Sequence, residues 1–316
     1  MRGVVRSGAR PAVSPTPSPS RGAAPTRTQA MIRRREALAG MMATGAALAV
    51  PGPLRAASAA APSSLDVTSM AGRQRTFLMM RGALDEDLVT NWVQANYYGV
   101  VEDRMEPLFN VVSAVFSRTR ALADGAYQQV TFELAWFTDI ATGKALDTFR
   151  NPYTNKDCTI PSGGFAPSST RFDKDLSFHL PKEMPGLQLE HEVLPIVTRG
   201  NDVWVTERIR SAASFPGAAR PFRYSDSTVM HAQASDLQWP GATRVTSNVS
   251  YTNVVSWRPW LEMGDHPGHL TASGVGRQNA TRDSMPPAWL EATEARRPDV
   301  FKDPAALLAP LWDAKA

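Results

Sequence analysis

The sequence predicts a mainly β protein: an antiparallel, barrel-like sheet with short C-terminal helices, a two-sheet sandwich being the competing architecture. Three observations lead there. Past residue 75, turn signals recur roughly every ten to fifteen residues, and the segments between them are rich in β-branched and aromatic residues. One segment, Tyr127 to Phe137, alternates strictly, with Val130, Phe132, Leu134 and Trp136 on one face and Gln129, Thr131 and Glu133 on the other. That is the pattern of a half-buried antiparallel strand. Helix start and stop signals are confined to the end of the chain. So many strands left open would expose edges, which favours closure.

In chain order, strands are expected at Asn91 to Val101, Leu108 to Arg118 and Tyr127 to Phe137. The Asp139 to Gly143 turn then leads into Lys144 to Phe149, extending the meander. Later strands are expected at Leu187 to Arg199, Val203 to Arg210, Arg223 to Ala232, Val245 to Trp257 and Leu270 to Val275. A three-residue loop at Gly200-Asn201-Asp202 would set Val193 opposite Ile209 and Val197 opposite Val205, keeping apolar positions paired. Two helices are expected, one opening at Ser284-Met285-Pro286-Pro287 and stopped by Pro298, the other capped by Asp303-Pro304 and stopped by Pro310.

The N-terminal part reads differently. Residues 1–30 are rich in Ser, Pro, Arg and Ala, and are expected to be a disordered extension or the product of a mis-assigned start, with Met31 the true one. Residues 31–59 have the layout of an export leader: Arg33-Arg34-Arg35, an uncharged stretch from Ala39 to Val50, and small residues around Ala57-Ser58-Ala59. The pair Arg34-Arg35 with Leu38 three positions on resembles a twin-arginine (Tat) signal, the bacterial address for exporting folded proteins. The apolar stretch is shorter than the roughly 20 residues of a membrane span, so no stable membrane anchor is expected. Residues 60–75 would then be a linker, and 76–316 a single β-rich domain working in the periplasm.

The leader also resolves the charge. The chain holds 34 Lys and Arg against 30 Asp and Glu, and nine of those arginines and Glu36 lie in residues 1–59. The remainder carries 25 against 29, so the sequence pI near 9.4 belongs to the leader. Nucleic-acid binding, which needs a basic face, is not expected. The single cysteine, Cys158, excludes an internal disulfide framework.

Two polar residues stand in apolar surroundings. Glu207 is the one charge on the face of Val203, Val205 and Ile209, and His191 shares the assumed register with Leu187, Leu189 and Val193. Glu207 is either a general acid/base with a tuned pKa or the buried partner of an arginine. His191 is either a satisfied core histidine or catalytic. In the assumed register they lie about four residues apart along the ladder, on the order of 13 Å, so no direct contact is expected. His266 and His269 are close in sequence but lack a third ligand, so no metal is expected. Haem, iron–sulfur, phosphate-loop and dinucleotide signatures are absent, so no cofactor is expected.

Two dense blocks remain. The first runs from Glu133 through Asp139 and Thr142-Gly143 to Arg150-Asn151-Pro152-Tyr153-Thr154. Its Thr-Gly and Asn-Pro pairs are turn chemistry, yet Glu133, Arg150 and Tyr153 converge if the polar face lines the interior. The second is Trp257-Arg258-Pro259-Trp260-Leu261-Glu262-Met263-Gly264 followed by Asp265-His266-Pro267-Gly268. Its tryptophans either wall a pocket for a flat apolar ligand or plug a barrel end. Together, in this order, the two blocks resemble the bacterial and fungal family catalogued as domain of unknown function 1838. The resemblance spans Thr76 to Trp312 and implies one domain. It carries no catalytic residues across.

The functional expectation is an exported small-molecule protein. One form is a cofactor-independent lyase, isomerase or hydrolase acting on an apolar or aromatic compound. There Glu207 or Glu262 serves as acid/base, His191 and Tyr153 assist, and Arg150 or Arg208 holds an oxyanion. The other form is a non-catalytic binding protein that clamps its ligand with Trp257 and Trp260. A structural role in the envelope ranks third. The Tat machinery, reached through Arg34 and Arg35, is the other expected partner.

Overall fold

The computed structural model describes residues 65–161, 163–180, 186–214 and 220–314. The expected extension, the leader and residues 60–64 of the expected linker lie outside them. The described chain begins with a helix, α1 (Met70–Arg81), capped by the Ser69 side chain, which accepts from the Gly72 amide. Helices are therefore not confined to the end, and α1 crosses the expected linker boundary. It was illegible as an amphipathic helix for a physical reason. Phe77, Leu78, Met79 and Met80 are all fully buried, so its last turn is apolar on every side and has no stripe.

The strands follow as β1 (Val89–Val101), β2 (Arg104–Ala121), β3 (Tyr127–Thr138), β4 (Thr148–Arg150), β5 (Asp157–Thr159), β6 (Ser168–Phe172) and β7 (Phe178–His179). After them come β8 (Leu187–Val193), β9 (Val197–Arg199), β10 (Asp202–Ala213), β11 (Phe222–Gln233), β12 (Ser247–Val255) and β13 (His269–Gln278). A short helix, α2 (Ala234–Leu237), separates β11 from β12, and α3 (Pro287–Arg296), α4 (Pro298–Lys302) and α5 (Pro304–Trp312) close the chain. The long strands form one antiparallel sheet in the order β7-β6-β3-β2-β1-β13-β12-β11-β10-β8, with β9 also pairing β10. The sheet curls until its two ends nearly meet, so the expected barrel-like architecture holds. What bridges the seam is aromatic packing: the Phe178 ring stacks on His191 of β8 with centroids 5.0 Å apart, and Phe172 of β6 lies 5.8 Å away.

Three local expectations are corrected. Lys144 to Phe149 extends the meander only at its start: across the Asp139 turn Ala145 bridges Thr138 antiparallel, and the Leu146 amide donates to the Phe137 carbonyl at 2.9 Å, whereas β4 leaves to form a separate two-stranded sheet with β5. The loop at Gly200 has two residues, not three, since Arg199 pairs with Asp202. Gly200, at φ +59°, supplies the left-handed position that such a turn demands. Val197 then pairs with Trp204, and the stretch between β9 and β8 slips the register by one, so that Val193 pairs with Glu207 and His191 with Ile209. The helix of Asp303-Pro304 also runs through Pro310 to Trp312, where burial of Leu308 and Trp312 offsets the lost backbone bond.

The alternation of β3 is as expected, and the packing decides which of its two faces looks inward. Val130, Phe132, Leu134 and Trp136 point out of the barrel, under a cover made by Trp289, Ala292, Val300, Leu308 and Trp312 of the C-terminal helices. Trp136 donates to the Thr293 hydroxyl at 2.8 Å, and Trp289 to the Leu134 carbonyl at 2.8 Å. The polar face, Gln129, Thr131 and Glu133, lines the interior.

Candidate functional site in the barrel interior

Strand periodicity and the registers place Tyr97 of β1, Ser113 of β2, Glu133 of β3, Glu207 of β10, Tyr224 and Asp226 of β11, and Tyr251 and Asn253 of β12 on the inward face. Many inward side chains are only half-buried, including Val111, Ser113, Val115, Thr131, Glu133, Asp226, Thr228 and Tyr251. A filled interior would exclude solvent from all of them, so the middle of the barrel is hollow.

One end of this hollow is closed by α1. Its last residue, Arg81, sends Nε to both oxygens of Glu207 at 3.0 and 2.9 Å and Nη1 to the Gln129 side chain, which in turn donates to Thr119. His191 Nε2 bonds Glu207 Oε1 at 2.9 Å, and its Nδ1 is buried without a partner. The expected 13 Å separation of His191 and Glu207 is thus overturned by the register slip. Burial pushes the Glu207 pKa up, but the Arg81 charge and the His191 bond outweigh it and hold it at about 2.

The opposite end is closed by aromatic rings. Trp260 packs against Phe109, Phe137 and Phe149, with centroids 5.4, 5.2 and 6.3 Å away. Trp257 packs on Tyr153 at 5.4 Å. The two dense sequence blocks meet here, since Asn151 donates to the Leu261 carbonyl at 2.7 Å. Much of their spacing therefore serves to seat this plug.

Between the two ends lies a polar belt. Tyr224 donates to Asp226 at 2.8 Å, and the Tyr224 and Tyr251 hydroxyls are 3.2 Å apart. Burial pushes the Asp226 carboxyl up to about 6, with the Tyr224 bond opposing and the Glu207 charge adding. Burial also drives both tyrosines well above their ordinary range. Across the hollow, Ser113 donates to Glu133 at 2.6 Å, and burial raises Glu133 against that bond and the charge of Arg258. Arg258 donates to the Tyr97 hydroxyl at 3.3 Å.

Of the residues singled out from sequence, Glu207, His191 and Glu133 face the interior. Tyr153, Trp257 and Trp260 belong to the plug end. Arg208 alternates to the outer face of β10. Arg150 is exposed and pairs with Asp157 at 3.2 Å, and Glu262 is exposed and pairs with Lys156 at 3.4 Å. Sequence reasoning missed Asp226, Tyr224, Tyr251, Arg258 and Arg81. Among the described residues no three His, Cys, Asp or Glu side chains converge in a way that could hold a metal ion, and no helix is long and apolar enough to cross a membrane.

A family model described as "Protein of unknown function (DUF1838)" matches residues 85–309. The chain belongs to the DUF1838 family. No curated protein and no solved structure matches it. The DUF1838 match begins just past α1 and ends inside α5, so it takes in every strand of the barrel.

Proposed function

We propose that the barrel interior is the active site of an exported, cofactor-independent enzyme that moves a proton on a small apolar or aromatic compound, in an isomerisation, elimination or hydrolysis. The observation that carries this is the opposed tuning of two interior carboxyls: Glu207 is held ionised at about 2, while Asp226 rises to about 6. Neighbouring titratable groups whose environments push their pKa values apart divide into a fixed charge and a working acid/base. Asp226 is the working group, and Glu207 fixes His191 from behind. Tyr251, kept protonated by burial, is the donor that meets negative charge developing on substrate oxygen. Glu262 and Arg150, exposed and ion-paired on the surface, have no part in it. The twin-arginine leader supports a periplasmic setting.

Mass spectrometry of the folded, purified protein would identify a co-purified compound, which is then incubated with fresh enzyme. Conversion by the wild type is expected, with turnover falling about 10²–10⁴-fold in Asp226→Asn and the inflection near pH 6 disappearing. Full turnover in that variant overturns the assignment. A compound that stays bound and unchanged overturns catalysis in favour of a binding protein.

A further inference from the structure

Arg258, at the plug end of the hollow, has no carboxylate oxygen within 4.0 Å among the described residues. It leaves β12 three residues past Val255 and reaches back inward, its carbon 5.8 Å from the ring centres of both Tyr97 and Phe137. Its hydrogen bond to Tyr97 is made by Nη2, while Nε is buried without an acceptor. Among the described residues the other interior charges have partners: Arg81 has Glu207 and Gln129, and Asp226 has Tyr224. The carboxyl that faces Arg258 across the hollow, Glu133, is bonded instead to Ser113 at 2.6 Å, and no ion pair within 4.0 Å joins it to Arg258 among the described residues. A planar cation with free N–H groups beside aromatic walls fits a planar anion, because a guanidinium meets a carboxylate with two parallel hydrogen bonds.

We infer that the interior of this barrel takes an aromatic or apolar acid, whose carboxylate is received by Arg258 beside the Tyr97 hydroxyl. This rests on the interior being the working site and adds the chemical class of its occupant. It also orients the occupant. With the acid group at the plug end, the apolar body lies along Val93, Val111 and Val115, and the carbon next in line comes toward Asp226.

The test uses 2-naphthoate and its uncharged isostere 2-naphthamide, titrated calorimetrically into the full-length folded protein. Charge-assisted hydrogen bonds predict that naphthoate binds roughly ten- to a hundredfold more tightly than the amide, and that Arg258→Gln erases the difference. Arg258→Lys keeps the charge without the fork and should retain part of the preference. A readout independent of any variant's folding is the ¹⁵N signal of the Arg258 Nε–H in the wild type, which should shift with naphthoate and stay put with the amide. Equal affinity for both probes, or a naphthoate preference that survives Arg258→Gln, overturns the inference while leaving the interior site standing. Binding of neither probe overturns both.

Discussion

Arg81 sets the energetics of the interior at the scale of single residues. Glu207 has a side chain only 7% exposed, and a carboxylate that deep is tolerable only while its partners remain. Arg81→Ala should cost about 3–5 kcal/mol, read by urea unfolding. A loss below about 1 kcal/mol would show that water replaces the guanidinium. Replacing both members with apolar residues of similar volume should cost less than the single change, because no orphaned charge is left. The two tuned carboxyls have opposite pH signatures. Glu207 drops from an ordinary 4.5 to about 2, so the stability it contributes is complete above pH 4.5 and lost as pH falls toward 2. Asp226 rises from 3.8 to about 6, so its contribution is complete below pH 3.8 and lost as pH rises through 6. Each amounts to about 3 kcal/mol at most. Unfolding curves from pH 3 to 8 should therefore show Asp226→Asn lacking the decline between pH 4 and 6 that the wild type has.

Elements were legible where their own pattern matched their burial. The alternation of β3 and the turn residues around β10 to β13 place those strands to within a few residues. Three things defeated the pattern. The last turn of α1 is buried on every side and shows no apolar stripe. The β8–β9 break slips the register by one, a change visible only in the pairing with β10. Alternation alone does not say which face of β3 looks inward; the apolar one packs under α3 to α5, because helices as well as barrel cores bury a strand's face. The turn between β9 and β10 can be tested directly. Gly200 holds φ +59° in a two-residue loop, a conformation that costs a β-branched residue about 1–2 kcal/mol. Gly200→Val should lower stability by that amount and leave interior ligand binding unchanged, since its side chain position is open to solvent. A larger loss, with binding abolished, would mean that the slip in register depends on this turn.

The site of the whole molecule was only half legible, and distance along the chain explains the rest. Glu207, His191 and Glu133 stood out as polar residues in otherwise regular strands. Asp226 and Tyr251 carried a fainter signal, alternating with outward residues on the same faces as Met230 and Val249. Their meeting depends on how β11, β12 and β3 curve around a common axis, which no single segment encodes. Arg258 was hidden by its tryptophan neighbours. Cellular location is likewise a property of the complete chain: with Arg34-Arg35 changed to Lys-Lys, the protein should accumulate in the cytoplasm, as fractionation would report, and unchanged export would remove the Tat assignment. The seam where Phe178 lies on His191 has a mechanical consequence. Around the rest of the circumference, adjacent strands are tied by ladders, whereas β7 and β8 touch through rings, so the wall is a cuff rather than a hoop. A cuff can widen by sliding one ring over another without surrendering a backbone bond, which lets its girth adjust to what it holds. His191 and Arg81 both span that opening, His191 from Phe178 to Glu207 and Arg81 from Gln129 to Glu207, so a change in circumference reaches the Glu207 carboxylate from two sides.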